Sequence, residues 1–149
     1  MKYAFYKSRI GIIKFSYDKK IESISLVEKA NDLSESTPAT DKVFGQIEEY
    51  LRGERKEFTI YDLLEIMGTD FQKEVIRELR NIPYGEKSTY KKIAENINRE
   101  KAVRAVANAI GRNPFFIIYP CHRVIRSDGK IGGFAYGVGL KEFLLKLES

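Results

Sequence analysis

The sequence predicts an α+β fold in two parts. Residues 1–68 read as a small N-terminal antiparallel sheet with a helix, and residues 69–149 as a helical domain containing a helix-turn-helix. Three observations predict it. Residues 1–30 alternate short β-rich runs with polar turns. Residues 69–111 carry capped helical periodicity interrupted by a tight polar turn. Charge divides at the same place: residues 1–68 hold 11 Lys and Arg against 12 Asp and Glu, whereas residues 69–149 hold 15 against 9.

Tyr3-Ala4-Phe5-Tyr6, Ile10 to Tyr17 and Ile21 to Val27 are the expected strands, with turns at Ser8-Arg9 and Asp18-Lys19-Lys20. Residues 30–41 are polar, contain Pro38 and read as a loop. Thr40 is expected to cap a helix whose apolar positions are Val43, Phe44, Ile47, Tyr50 and Leu51, ended by Gly53. Lys56 to Ile60 is expected to add one strand. In the second part, Thr69 and Gln72 form a capping box before a helix with Phe71, Val75 and Leu79 on one face. Ile82-Pro83-Tyr84-Gly85 breaks that helix, and Ser88 or Thr89 caps the next, which buries Ile93, Ala94 and Ile97.

A third helix is expected from about Glu100 to Ile110, stopped by Gly111. Its core face is Val103, Val106, Ala107 and Ile110. The opposite face is Lys101, Arg104, Ala105 and Asn108, flanked by Ala102 and Ala109. That outer face is basic and low, a shape suited to close approach to a nucleic-acid backbone. Residues 87–130 carry 10 basic and 3 acidic side chains, which points to a polyanion partner.

Composition excludes several classes. With 43% hydrophobic and 32% charged residues the chain can build a core. It has no run of apolar residues long enough to cross a membrane, so no membrane partner is expected. The N-terminal residues lack the apolar region of a secretion signal, and a cytoplasmic location is expected. One cysteine permits no intrachain disulfide, and one histidine leaves a Cys/His zinc site short of ligands. No metal and no cofactor is expected.

That single cysteine and single histidine are neighbours, in Pro120-Cys121-His122-Arg123. Cys121 as a nucleophile needs its thiolate, and the cations Arg123 and Arg126 are expected to lower the thiol pKa. Adjacent side chains diverge in regular structure, so a water is expected to relay the proton from Cys121 to His122. The far nitrogen of His122 needs an orienting partner, for which Asp128 and Glu148 stand nearest in sequence.

Pro120-Cys121-His122-Arg123-Val124-Ile125 resembles the active-site signature of the O6-alkylguanine-DNA alkyltransferases. The resemblance runs over residues 71–148 through Phe71-Gln72, Ile82-Pro83-Tyr84-Gly85-Glu86, Tyr90, Ile93-Ala94, Ala102-Val103-Arg104-Ala105-Val106 and Asn113-Pro114. Smaller relatives that lack the nucleophile usually have Trp in its place, and Cys121 argues against that variant. The resemblance implies that Cys121 accepts the alkyl group, that His122 deprotonates it through water, and that Glu148 orients His122. It further implies that Asn113 supports the turn beside the active-site segment and that Tyr90 donates to the departing guanine. Arg104 is implied to fill the place of an extruded nucleotide. Ala102 and Ala105 are implied to form a small face in the minor groove, with Lys101 and Asn108 beside it. Val124 is implied to supply the wall and backbone acceptors of the guanine pocket.

One loop departs from the family. Where it commonly has a Gly-Tyr-Ser-Gly-Gly pattern, this chain has Gly133-Phe134-Ala135-Tyr136-Gly137, so Phe134 lacks a hydroxyl and Tyr136 replaces a glycine. Phe134, Ala135 and Tyr136 are therefore expected to shape the substrate pocket, with Tyr136 either narrowing it or turning outward onto DNA. The expected function is irreversible, stoichiometric transfer of an alkyl group, chiefly methyl, from O6-alkylguanine in double-stranded DNA to Cys121, with nucleotide flipping, by a monomer. Two rivals stand beside it: a catalytically silent helix-turn-helix module, and a cysteine hydrolase or acyltransferase built on Cys121 and His122.

Overall fold

Strict alternation builds the first sheet. In a computed structural model describing residues 1–149, strands β1 (Lys2–Ser8), β2 (Gly11–Tyr17) and β3 (Ile21–Val27) form an antiparallel meander in the order β1-β2-β3. Ala4, Phe15 and Ile24 lie opposite one another across it and are fully buried, as a period of two requires when one face is covered. Helix α1 (Pro38–Leu51) packs against β1 and buries Val43, Ile47, Tyr50 and Leu51. Tyr6 fastens the two: its ring stacks on Phe44 at 4.3 Å, and its hydroxyl meets Thr40 at 2.7 Å and donates to Asp41 at 2.6 Å.

Two expectations fail in this part. Thr40 is not the N-cap. The cap is Thr37, whose side chain accepts from the Thr40 amide while Thr40 Oγ1 accepts from the Thr37 amide, so Pro38 begins the helix. Residues 56–60 form no strand either. The Gln46 side chain takes the place of a neighbouring strand, accepting from the Thr59 amide at 3.1 Å and donating to Thr59 Oγ1 at 2.7 Å. Phe58 and Ile60 are still buried.

The chain divides into two compact units, Met1–Met67 and Gly68–Ser149. In the second, α2 (Asp70–Leu79), α3 (Tyr90–Asn96) and α4 (Val103–Gly111) pack on one another around Val75, Ile76, Leu79, Ile93, Ala94, Val106 and Ile110. Thr69 and Thr89 cap α2 and α3. The reciprocal half of the expected capping box is not made, because the Gln72 amide group donates instead to the Ala109 carbonyl at 3.3 Å. Helix α4 begins at Val103 rather than near Glu100. Asn98, at φ 60°, turns the chain between α3 and α4 in the left-handed conformation Asn tolerates. Ala109, expected on the flank of the outer face, is buried, and Val103 is only half-buried.

Two short strands, β4 (Ser88–Thr89) and β5 (Val124–Ile125), pair in parallel and tie the approach to α3 to the segment after Cys121. A further helix, α5 (Val138–Leu147), extends the expected set and packs on the turn Cys121–Arg123. None of the helices is long and apolar enough to cross a membrane.

Candidate active site

The segment leading to Cys121 is held under local strain. Ile117 is a buried β-branched residue at φ 72°, where the Ile118 amide donates to the Phe116 carbonyl at 2.8 Å in a γ-turn. Pro120, at φ −77° and ψ 70°, centres a second γ-turn closed by the Cys121 amide on the Tyr119 carbonyl at 2.7 Å. Asn113 clamps this path. Its Oδ1 accepts from the Phe115 amide at 3.0 Å and its Nδ2 donates to the Tyr119 carbonyl at 2.7 Å. Such geometry persists only where surrounding contacts over-determine it.

Cys121, His122 and Arg123 then form one 3₁₀ turn, and all three are buried. His122 Nε2 lies 2.7 Å from Glu148 Oε2. Arg123 donates Nε to Glu148 Oε1 at 2.8 Å and Nη2 to Oε2 at 2.9 Å. The choice between Asp128 and Glu148 is thus made by tertiary structure: Asp128 instead pairs with Arg126 at 2.9 Å on the surface. Gly85, at φ 80°, donates its amide to Glu148 Oε1 at 3.3 Å, and a Cβ there would stand 3.1 Å from the Glu148 carbonyl. Only glycine fits that approach without strain.

The electrostatics of the thiol differ from the expectation. Burial pushes the Cys121 thiol up to about 11, outweighing the hydrogen bond from the Asn113 side chain and the positive charge of Lys141. Arg123 does not act on it, because its guanidinium is spent on Glu148 and the Ile82 carbonyl. Burial likewise holds His122 below the ordinary histidine range, with Glu148 opposing and Arg123 and Lys141 reinforcing the shift. Burial raises the Tyr90 hydroxyl, and so does Cys121 beside it. Burial thus favours the neutral thiol and the neutral imidazole in the folded chain.

A cavity of about 230 Å³ opens on Cys121, lined by Tyr90, Asn113, Phe116, Phe134, Ala135 and Tyr136 among others. The Tyr136 ring packs on Phe116, with centroids 4.8 Å apart. Val124 does not line this cavity. It is fully buried, and its carbonyl accepts from Lys141 Nζ at 2.7 Å. Lys141, which also donates to the Gly133 carbonyl at 3.1 Å, was not foreseen, nor were Phe116, Ala107, Ile110 and Gly111 as pocket residues. A signal for Lys141 does exist in the sequence. Lys141, Leu144 and Glu148 share one face at helical spacing and are all buried, so two charges sit where a core face needs apolar groups.

On α4, Arg104, Ala105 and Asn108 are exposed together, with Lys101 exposed just before the helix and Ala102 half-buried at its N-cap.

Comparison with known proteins bears on this arrangement. Residues 70–149 match the family model described as 6-O-methylguanine DNA methyltransferase, DNA binding domain. The methylated-DNA–protein-cysteine methyltransferase of Methanosarcina acetivorans is 44% identical over 155 residues, spanning 99% of this chain and 98% of that protein. The protein of the same name from Haemophilus influenzae is 38% identical, over 98% of this chain and 85% of its own. The crystal structure of Mycobacterium tuberculosis OGT in complex with DNA superposes with a TM-score of 0.89 at 36% identity, covering 99% of this chain and 92% of that one.

Proposed function

The chain belongs to the O6-methylguanine-DNA methyltransferase family, and from that premise we propose that it repairs DNA by moving the alkyl group of O6-alkylguanine, chiefly methyl, irreversibly onto Cys121. The observation that carries the reading is the placement of the only cysteine at the floor of a 230 Å³ cavity, backed by the buried His122–Glu148 pair.

Each residue has a part. With Nε2 of His122 committed to Glu148, Nδ1 takes the thiol proton through a water. The sulfur then bonds to the alkyl carbon as the carbon–O6 bond breaks, and that electron pair passes to the guanine. Tyr90 donates a hydrogen bond to the ring as its charge grows, and the proton held by His122 returns the base to neutrality. Asn113 keeps the strained segment in place, and the Lys141 ammonium offsets the charge of the forming thiolate. The product is a thioether, which nothing in the site can hydrolyse, so each molecule acts once.

The alkylated base cannot meet a buried thiol from inside a duplex, so the nucleotide is extruded into the cavity. Arg104 occupies the gap from the exposed face of α4, and Ala102 and Ala105 allow that face close contact with the minor groove, with Lys101 and Asn108 holding phosphates. The protein acts as a monomer on double-stranded DNA.

The test mixes protein with a duplex bearing one O6-methylguanine. One methyl group per chain is expected on Cys121 by mass spectrometry, and Cys121→Ser should bind duplex and transfer nothing. Binding without transfer by the wild-type chain would favour the silent helix-turn-helix module; a methyl group found on another residue would refute the assignment of Cys121.

A further inference from the structure

The proposed chemistry uses His122 and Glu148 and leaves Arg123 without a part, although its side chain is only 7% exposed in the same cluster. Arg123 grips Glu148 with two hydrogen bonds, donates Nη1 to the Ile82 carbonyl at 2.7 Å, and lies over the Tyr84 ring at 5.6 Å. Glu148 is therefore encircled by the guanidinium, the imidazole and the Gly85 amide. A buried carboxylate facing an imidazole alone draws a second proton onto the ring, since the ion pair is the cheapest way to match its charge. An imidazolium has no lone pair left with which to take a proton from a thiol. A guanidinium stays charged at any relevant pH and fits a carboxylate bidentately, so it can meet that demand itself.

We propose that Arg123 is a positioning residue that keeps His122 a neutral base: it matches the charge of Glu148, so the imidazole donates one N–H to the carboxylate without taking a second proton. The inference rests on His122 acting as proton acceptor in alkyl transfer. The charged and titratable groups that bear on the ring are Lys141 from α5 and Glu148 at its C-cap, Cys121 and Arg123 from its own turn, and Tyr84 from the segment before β4, through Arg123 and Glu148. Burial disfavours the imidazolium most; among the neighbours Glu148 favours it, and Arg123 and Lys141 oppose it. Lys141 is spent on the Val124 and Gly133 carbonyls, which leaves Arg123 as the cation in direct contact with Glu148.

The chain has one histidine, so nitrogen NMR of imidazole-labelled protein reports His122 without assignment. In the wild-type chain the ring should be neutral at pH 7 and protonated on Nε2. In Arg123→Met it should titrate at higher pH than in the wild type. Methyl transfer at pH 7 should then slow on the order of tenfold and recover as pH rises. Arg123→Lys retains a cation without the bidentate fit and should place the ring titration between those of the wild type and the methionine variant. An imidazolium in the wild-type protein at pH 7 would overturn the proposal by itself, whether or not the methionine variant folds. So would an Arg123→Met protein with an unmoved ring titration and an equal loss of transfer at every pH. The NMR readout needs no methyl transfer, so failure of the alkyltransfer reading is distinguished from failure of this one.

Discussion

Replacing Glu148 by alanine should be the most damaging single change near the end of the chain. The substitution strips the His122 contact at 2.7 Å, both Arg123 contacts at 2.8 and 2.9 Å, and the Gly85 amide contact at 3.3 Å. It leaves a guanidinium with a side chain 7% exposed and no carboxylate to face. Removing one partner of a buried pair costs about 3–5 kcal/mol, chiefly because the abandoned charge stays buried. In a chain of this size each kcal/mol moves the melting temperature by about 2–4 °C, so the expected fall is roughly 6–20 °C. The assay is thermal unfolding by circular dichroism at pH 7, with the reaction of Cys121 toward a thiol reagent as a local probe. Cys121 is only 8% exposed in the intact site, so loosening of its turn against α5 should speed that reaction markedly. Methyl transfer should fall at least about tenfold as His122 loses its orienting partner. A melting temperature within about 2 °C of wild type, with the thiol still protected, would refute the idea that this cluster holds the site together.

Arg104→Ala should slow repair of methylated duplex much more than reaction with the free modified base, since its side chain is exposed on α4; equal slowing on both substrates would contradict a part in extrusion. Tyr136→Gly removes a ring that walls the cavity against Phe116. It should speed reaction with O6-benzylguanine by roughly 5- to 150-fold, the rate equivalent of about 1–3 kcal/mol of overpacking, and leave methylated DNA little affected. Equal benzyl rates would show that Tyr136 does not gate substrate size. Burial holds the Cys121 thiol at about 11 in the folded chain, above its value when unfolded. Its contribution to stability is thus full below about pH 9 and lost as pH rises toward 11, amounting to roughly 2–3 kcal/mol. Melting curves from pH 8 to 11 should fall more steeply for the wild-type chain than for Cys121→Ser, and parallel curves would count against the buried, protonated thiol.

What was legible in the residues was local. Alternation in Gly11–Tyr17, caps at Thr69 and Thr89, and the lone cysteine beside the lone histidine all speak through near neighbours in the chain. At two misread positions a distant partner overrode local preference. Residues 56–60 have strand character, yet the Gln46 side chain satisfies Thr59 and no strand pairs with them. Gln72 suits a capping box, yet the Ala109 carbonyl claims its amide from 37 residues away.

The sequence by itself determined the α+β class, the helix-turn-helix, the candidate nucleophile and the resemblance to one family. Tertiary structure alone decided what surrounds that nucleophile. It chose Glu148 over Asp128 for His122, turned Arg123 away from the thiol, buried Lys141 against the Val124 carbonyl and set the Tyr136 ring on Phe116. The reason is physical. Secondary structure follows from backbone preferences and periodicity over a few residues, whereas the charge and proton state of a buried group follow from which side chains are left facing it once water is excluded.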